Sequence, residues 1–205
     1  MALPLEWLQV FATGTDFPIC RRFTASAGIS ITMVFDASPS GGGAVLYVGD
    51  QFGQAILHVA PLSYWTRTWT PEDAVIIGHP LGDPAGQARW EALALLIAFT
   101  TWLPVIATAR GTVAVMGDAL GVLQSYFSFR AIDSIINSIM LEVAVQVAPL
   151  GRDLPAFHIF SEANDIADML SKMTKHIHVP ACLQDVRAST PRMGPWRFLR
   201  SHVAA

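Results

Sequence analysis

The chain has 205 residues, a length that suits one domain with additional segments and is long enough to bury a single core. Hydrophobic residues make up 52% and charged residues only 14%, with a net charge of −3, so bulk properties alone do not exclude a membrane span. Cys20 and Cys182 are too far apart to form a cysteine metal site. Together with the lack of a signal-peptide pattern, they predict an intracellular location, cytoplasmic or nuclear.

The first third of the chain predicts a short helix and then a meander of strands. Residues 5–14 have apolar positions at helical spacing and a glycine stop, and residues 15–29 look irregular. Residues 30–36 and 43–50 are apolar and β-branched, and the glycine-rich turn between them is typical of a hairpin. Residues 54–62 complete the meander as its third strand.

Residues 63–86 contain three prolines and predict a long ordered loop. Aromatic and basic side chains in this loop could stack nucleobases or pack as a lid, and packing is favoured. They are Tyr64, Trp65, Arg67 and Trp69.

The second half changes to alternating helices and strands. The predicted elements are a helix over 87–102, a strand over 111–118, helices over 119–127 and 131–148, a strand over 156–161 and a helix over 163–173. The helix predicted over 131–148 has one apolar face, formed by Ile132, Ile135, Ile136, Ile139, Met140 and Val143. The order predicts an α/β fold, a five-stranded mixed sheet flanked by helices, with three antiparallel and two parallel strands.

Residues 92–109 form an uncharged apolar run of the length of a membrane span. Glu91 opens the run and Pro104 interrupts it, so a buried helix followed by a buried strand explains it at least as well. We therefore expect no membrane association.

The C-terminal end is basic and the body is acidic. Residues 1–171 hold 7 Lys/Arg against 15 Asp/Glu, whereas residues 172–205 hold 6 Lys/Arg and only Asp185. A basic tail over 176–205 is compatible with phosphate contacts and equally with an ordinary solvated tail. Its candidate contacts are Arg187, Arg192, Arg197 and Arg200.

Four acids stand in apolar surroundings. Asp36 ends the first strand, Asp118 ends the fourth, Glu91 lies early in a buried helix, and Asp168 lies in the last helix. An unpaired buried carboxylate is costly, but several carboxylates can share divalent cations, which prefer oxygen ligands. Two such ions about 4 Å apart can activate a water and stabilise the leaving oxygen of a phosphodiester.

Each acid also has an ordinary structural interpretation. Glu91 and Asp168 could be helix N-terminal charges, Asp118 could be an N-cap, and Asp36 could be a turn residue bonding its own backbone. The glycines of "SPSGGG" could simply form a tight hairpin, or could leave room beside Asp36 for a nucleic-acid backbone.

Four blocks in this order resemble ribonuclease H, in the compact form found behind reverse transcriptases of retroelements. They are "FDASPSGGGAVL", "ARWEALALLIAF", "VAVMGDALGVLQ" and "HIFSEANDIADMLSK", and the resemblance covers roughly residues 30–173. Residues 5–14 and 21–26 also look like the connector that joins polymerase to ribonuclease H in those elements. The implied domains are a connector over 1–29, a ribonuclease H-like domain over 30–175 and the basic tail.

The resemblance implies a metal-dependent endonuclease that hydrolyses the RNA strand of RNA–DNA hybrids with two Mg²⁺ or Mn²⁺ ions. The implied metal ligands are Asp36, Glu91, Asp118 and Asp168, with Asp165 as a rival for the fourth position. The implied role of His158 is to assist proton transfer or product release, and Ser38 and Asn164 would contact the substrate. A polymerase domain in the same polyprotein is the implied partner.

The chain also departs from the family pattern. Ala119 follows the third acid where small polar residues are usual, "FSEAN" replaces a Pro-Gly segment, and the body has no obvious basic handle for a hybrid. None of these departures removes an acid, but the acidic body and the apolar composition keep alternatives open. One is a catalytically inactive scaffold that binds nucleic acid or a partner protein, and the other is a different nuclease of the same superfamily.

Overall fold

The computed structural model describes residues 30–49, 58–109, 111–151, 154–173 and 178–199. The predicted leading helix over 5–14 and the connector over 1–29 lie outside these ranges.

A six-stranded mixed sheet forms the centre of the molecule. Its strands are β1 (Ser30–Ser38), β2 (Gly41–Gly49), β3 (Pro61–Thr68), β4 (Val113–Gly117), β5 (Ala156–His158) and β6 (Arg187–Ala188), in the spatial order β5-β4-β1-β2-β3-β6. The first three strands are antiparallel to each other, and β4 and β5 continue the sheet parallel to β1. The predicted mixed sheet is confirmed, with β6 as an additional short strand parallel to β3.

The third strand and the following loop were predicted wrongly. The strand covers Pro61–Thr68 rather than 54–62, of which residues 54–57 lie outside the described ranges. Aromatic and β-branched residues over 64–68 favour a strand, which therefore extends well into the predicted loop. Helix α1 (Pro71–Ile77) follows, because Thr70 and Asp73 form a capping box and Pro71 starts the first turn. Pro71 and Pro84 each stand at the start of a helical turn rather than within a loop.

Four further helices flank the sheet: α2 (Gln87–Thr108), α3 (Leu120–Ser128), α4 (Ser134–Val147) and α5 (Asp165–Ser171). Residues 84–108 are long and apolar enough to cross a membrane by length and composition, yet 67% of the most apolar window is buried inside the protein. The interpretation as a buried helix leading to a buried strand is therefore confirmed. The helix continues past Pro104, which lies on its exposed side.

Ile132 was wrongly assigned to the apolar face of the fourth predicted helix. Asp133 caps α4 by accepting hydrogen bonds from the backbone N–H groups of Ile135 and Ile136, so Ile132 precedes the helix and is fully exposed. The buried residues of that face are Ile136, Ile139, Met140 and Val143.

Each face of the sheet carries its own core. Phe35 and Leu46 point toward α2 and α4, whereas Val34, Val45 and Tyr47 point toward α5. The aromatic residues of the former loop region pack rather than face solvent: Tyr64, Trp65 and Trp69 are buried, and Trp69 stacks on Trp90 with ring centroids 5.2 Å apart.

The C-terminal residues 178–199, here named the C-terminal strap, are not a solvated tail. Leu183 packs on the α5 face of the sheet, β6 pairs with β3 at the sheet edge, and Trp196 and Leu199 join the core on the other face. Glu142 of α4 holds the end of the strap by accepting the backbone N–H groups of Phe198 and Leu199. The strap wraps the edge of the sheet because its apolar residues belong to both cores.

Candidate metal centre

Three of the four acids meet at the carboxyl ends of β1 and β4. These strands are parallel and adjacent, so Asp36 near the end of β1 and Asp118 directly after β4 reach the same edge of the sheet. Glu91 lies in the second turn of α2, which packs on β1. One carboxylate oxygen from each of the three lies within 4.8 Å of the others.

Burial makes this group of carboxylates unfavourable without a cation. Asp36 and Glu91 are 4% and 5% exposed, and Asp118 is half-buried. Burial above all, helped by the charges of Asp118 and Asp168, raises the pKa of Asp36 to about 6, although a hydrogen bond from Ser171 acts against it. Burial, and then the charge of Asp36, raises the pKa of Glu91 well above its usual range. Such shifts are typical of sites that bind a charge or perform chemistry.

The hydrogen bonds of Glu91 leave one oxygen free for a ligand. Its Oε1 accepts a hydrogen bond of 2.8 Å from Gln87, whose amide also donates to the backbone oxygen of Ala37. Its Oε2 is buried and has no hydrogen-bond partner among the residues that the structure describes. A hard divalent cation would satisfy this oxygen, so the donor set fits Mg²⁺ or Mn²⁺.

Residues 158–164, here named the β5–α5 loop, hold Asp118 in place. Ser161 Oγ donates to Asp118 Oδ2 at 2.8 Å, and Asn164 Nδ2 lies 3.4 Å from Oδ1 and 3.3 Å from the backbone oxygen of Phe35. His158 is exposed, with Nε2 3.2 Å from the backbone oxygen of Asp118, and its ring meets Phe160 edge-on. Asn164 is buried, so its amide contacts Asp118 from the protein interior and does not face solvent.

Asp168 does not join the group of three oxygens. Its Oδ1 lies 2.5 Å from Nζ of Lys172, one helical turn later. It is still near enough to raise the pKa of Asp36. Its rival Asp165 is exposed and accepts a hydrogen bond from the backbone N–H of Ile166.

The turn after Asp36 is closed by protein rather than open to a substrate. Ser38 is buried, and its hydroxyl donates to the backbone oxygen of Ser171 at 2.8 Å. A Cβ on Gly42 would lie 2.5 Å from Trp69, and one on Gly43 would lie 2.4 Å from Leu170. The glycines therefore admit Trp69 and α5, and the interpretation that they leave room for a nucleic-acid backbone was wrong. This placement gives the Ser38 hydroxyl a structural partner.

Three supporting residues were not found from the sequence. Gln87 precedes Glu91 by four residues and Lys172 follows Asp168 by four, so helical spacing could have suggested both. Ser161 had no comparable signal, because its contact with Asp118 depends on the path of the β5–α5 loop.

No protein-family model matches the chain, and no curated protein is similar enough to count as a relative. Solved structures with a similar fold include RNase H1 from the halophilic archaeon Halobacterium salinarum, at 16% identity and a TM-score of 0.47, covering 69% of this chain and 93% of that one. Another is the N-terminal RNase H domain of a Mycobacterium tuberculosis protein, at 15% identity and a TM-score of 0.49, covering 69% of this chain and 88% of that one. A third is LC11-RNase H1, solved in complex with an RNA/DNA hybrid, at 15% identity and a TM-score of 0.47, covering 69% of this chain and 92% of that one. At these values the likeness concerns the fold and does not extend to the roles of residues.

Proposed function

We propose that the protein is a divalent-metal-dependent ribonuclease H, which hydrolyses the RNA strand of RNA–DNA hybrids. The observation that carries the proposal is the meeting of Asp36, Glu91 and Asp118 within 4.8 Å at the carboxyl ends of two parallel strands. The unpartnered buried oxygen of Glu91 adds an independent indication of a cation. The four sequence blocks that resemble ribonuclease H contain these same acids.

In this mechanism the three clustered carboxylates would hold the metal, with Asp168 as a candidate fourth ligand. When bound, Mg²⁺ or Mn²⁺, two ions in the two-metal form, would supply an activated water and would neutralise charge at the scissile phosphate. Gln87 and Ser161 fix the carboxylates through their hydrogen bonds, so the ligands are positioned before the ion arrives. The exposed imidazole of His158 lies beside Asp118 and can carry a proton at the mouth of the centre.

We extend the proposal to the setting of the enzyme in a retroelement, beside a reverse-transcriptase polymerase. Its support is the resemblance of residues 5–14 and 21–26 to the connector that joins polymerase to ribonuclease H in those elements. The exposed arginines of the C-terminal strap, Arg187, Arg192 and Arg197, are candidate phosphate contacts.

A cleavage assay tests the proposed activity. The full chain should cut the labelled RNA strand of an RNA–DNA hybrid in the presence of Mg²⁺ and should leave a DNA duplex of the same sequence intact. Glu91→Gln should lower the rate at least about 100-fold, because it removes a charged ligand of the metal. Glu162→Gln is the matched control, since Glu162 is an exposed acid in the β5–α5 loop, and it should keep the wild-type rate.

The assay also separates the scaffold alternative. Binding of the hybrid with no Mg²⁺-dependent cleavage would indicate an inactive binding module. Cleavage by Glu91→Gln at the wild-type rate would contradict the metal centre proposed here.

A further inference from the structure

Asp168 and the three clustered acids differ in what neutralises them. Among the described residues, the group within 4.8 Å contains only Asp36, Glu91 and Asp118, which offers ligands for one ion. The Asp168 carboxylate is instead paired with the Lys172 ammonium at 2.5 Å. A positive charge of the protein itself therefore lies at the carboxylate of the fourth candidate ligand.

The ammonium belongs to the same electrostatic group as the acids. Its hydrogen bond to Asp168 raises the pKa of Lys172, and the charges of Asp168, Asp36 and Asp118 raise it further. In return, Lys172 lowers the pKa of Asp36. The positive charge of Lys172 therefore interacts with Asp36 and Asp118 as well as with Asp168.

The backbone at Lys172 is anchored, whereas its side chain is largely exposed. The preceding residue, Ser171, is buried, and its backbone oxygen accepts the hydrogen bond from Ser38. The N–H of Lys172 itself donates to the backbone oxygen of Asp168 at 3.2 Å. The side chain is 58% exposed and can leave the carboxylate without disturbing the helix.

We propose that Lys172 is an internal cation that competes with a second divalent ion for Asp168. This inference rests on the proposed function and refines it. The cluster of three acids binds one ion with high affinity, and a second ion binds at Asp168 only when it displaces the ammonium. The residue thereby sets the concentration of metal at which a two-ion centre forms.

Counting bound Mn²⁺ tests the proposal without any activity assay. The full chain is titrated with MnCl₂ and the free ion is measured by its electron paramagnetic resonance signal. The wild type should bind one ion tightly and a second only weakly. In Lys172→Gln the affinity for the second ion should rise roughly fivefold, since an exposed ion pair no longer has to be broken. Lys172→Arg retains the charge and should keep the wild-type pattern.

Two controls separate competition from a general effect of charge. Arg187→Gln removes the same charge on β6, three strands away from β1, and should leave the binding of both ions unchanged. Adding Asp168→Asn to Lys172→Gln should return the protein to one tight ion.

The failures of the two proposals look different. Equal affinity for the second ion in the wild type and in Lys172→Gln, or an equal effect of Arg187→Gln, would overturn the role of Lys172 and leave the metal centre standing. Absence of any bound ion in all variants would overturn the proposed function itself.

Discussion

At the scale of the residue, the site is defined by carboxylates in an environment that disfavours their charge. Asp36 and Glu91 are almost fully buried beside each other, and one Glu91 oxygen has no hydrogen-bond partner among the described residues. Such an arrangement lowers the stability of the metal-free protein at neutral pH. The same unfavourable charges would favour the binding of the proposed cation.

This cost predicts a pH dependence of stability in the metal-free protein. The pKa of Asp36 is about 6 in the folded state against 3.8 in a model peptide, so the unfolded chain releases its proton first as the pH rises. The free energy of unfolding should therefore fall between about pH 4 and pH 6, by about 3 kcal/mol for this group. Glu91 acts in the same direction.

Chemical denaturation at several pH values, with a chelator present, measures the effect. Asp36→Asn should gain stability relative to the wild type as the pH rises through this range. Asp165→Asn, an exposed acid of α5, should follow the wild-type curve. If the free energies of unfolding of Asp36→Asn and the wild type change with pH in parallel, burial does not raise the pKa of Asp36 and the prediction is wrong.

At the scale of the element, the close approach of α5 to the β1–β2 hairpin positions the margin of the site. Gly43 pairs with Asp36 across the hairpin, and the helix lies directly on it. Ser38 ties the end of the same helix to the turn. Because Gly43 has no side chain, α5 can contact the backbone of β2, and this contact sets how close Asp168 comes to Asp36.

Gly43→Ala should destabilise the protein, although alanine is ordinarily the better residue in a strand. The added Cβ would lie 2.4 Å from Cβ of Leu170 and 2.8 Å from its backbone carbon, so α5 must move away. We expect a loss of about 1–3 kcal/mol in the free energy of unfolding.

Gly121→Ala is the matched control for this prediction. Gly121 lies within α3, and a Cβ there meets nothing within 4 Å, so the substitution should stabilise the protein by about 0.5–1 kcal/mol. Both changes are measured by urea denaturation. A neutral Gly43→Ala would mean that α5 adjusts freely and does not fix the geometry of the site.

At the scale of the whole molecule, the C-terminal strap joins the two cores around the edge of the sheet. Leu183 contributes to one core, and Trp196 and Leu199 contribute to the other. The pairing of β6 with β3 also covers an edge strand that would otherwise present unpaired backbone groups.

Leu199→Ala should lower the free energy of unfolding by about 2–4 kcal/mol, because Leu199 is 1% exposed within the core. Met193→Ala in the same strap is the control. Met193 is 36% exposed and its truncation should cost less than about 1 kcal/mol. Thermal unfolding compares the two variants, and equal losses would show that the strap does not anchor through its buried end.

The sequence by itself determined the strands and helices whose hydrophobic period was unbroken. The mixed sheet and helices α2 to α5 could be predicted because their apolar patterns are local. The third strand could not, because prolines at its boundaries resembled loop signals. The four acids were visible in the sequence because a charge stands out in an apolar segment.

Only the tertiary structure decided which of these acids share a site and what supports them. Two of its contacts join residues that are far apart in the chain: the meeting of Asp36, Glu91 and Asp118, and the hydrogen bond from Ser161 to Asp118. The ion pair of Asp168 with Lys172 depends on the directions of the two side chains. The glycines of the hairpin gained their meaning only once α5 and Trp69 were seen to lie on them. Local patterns predict the elements, whereas distances between side chains follow from the packing of the whole chain.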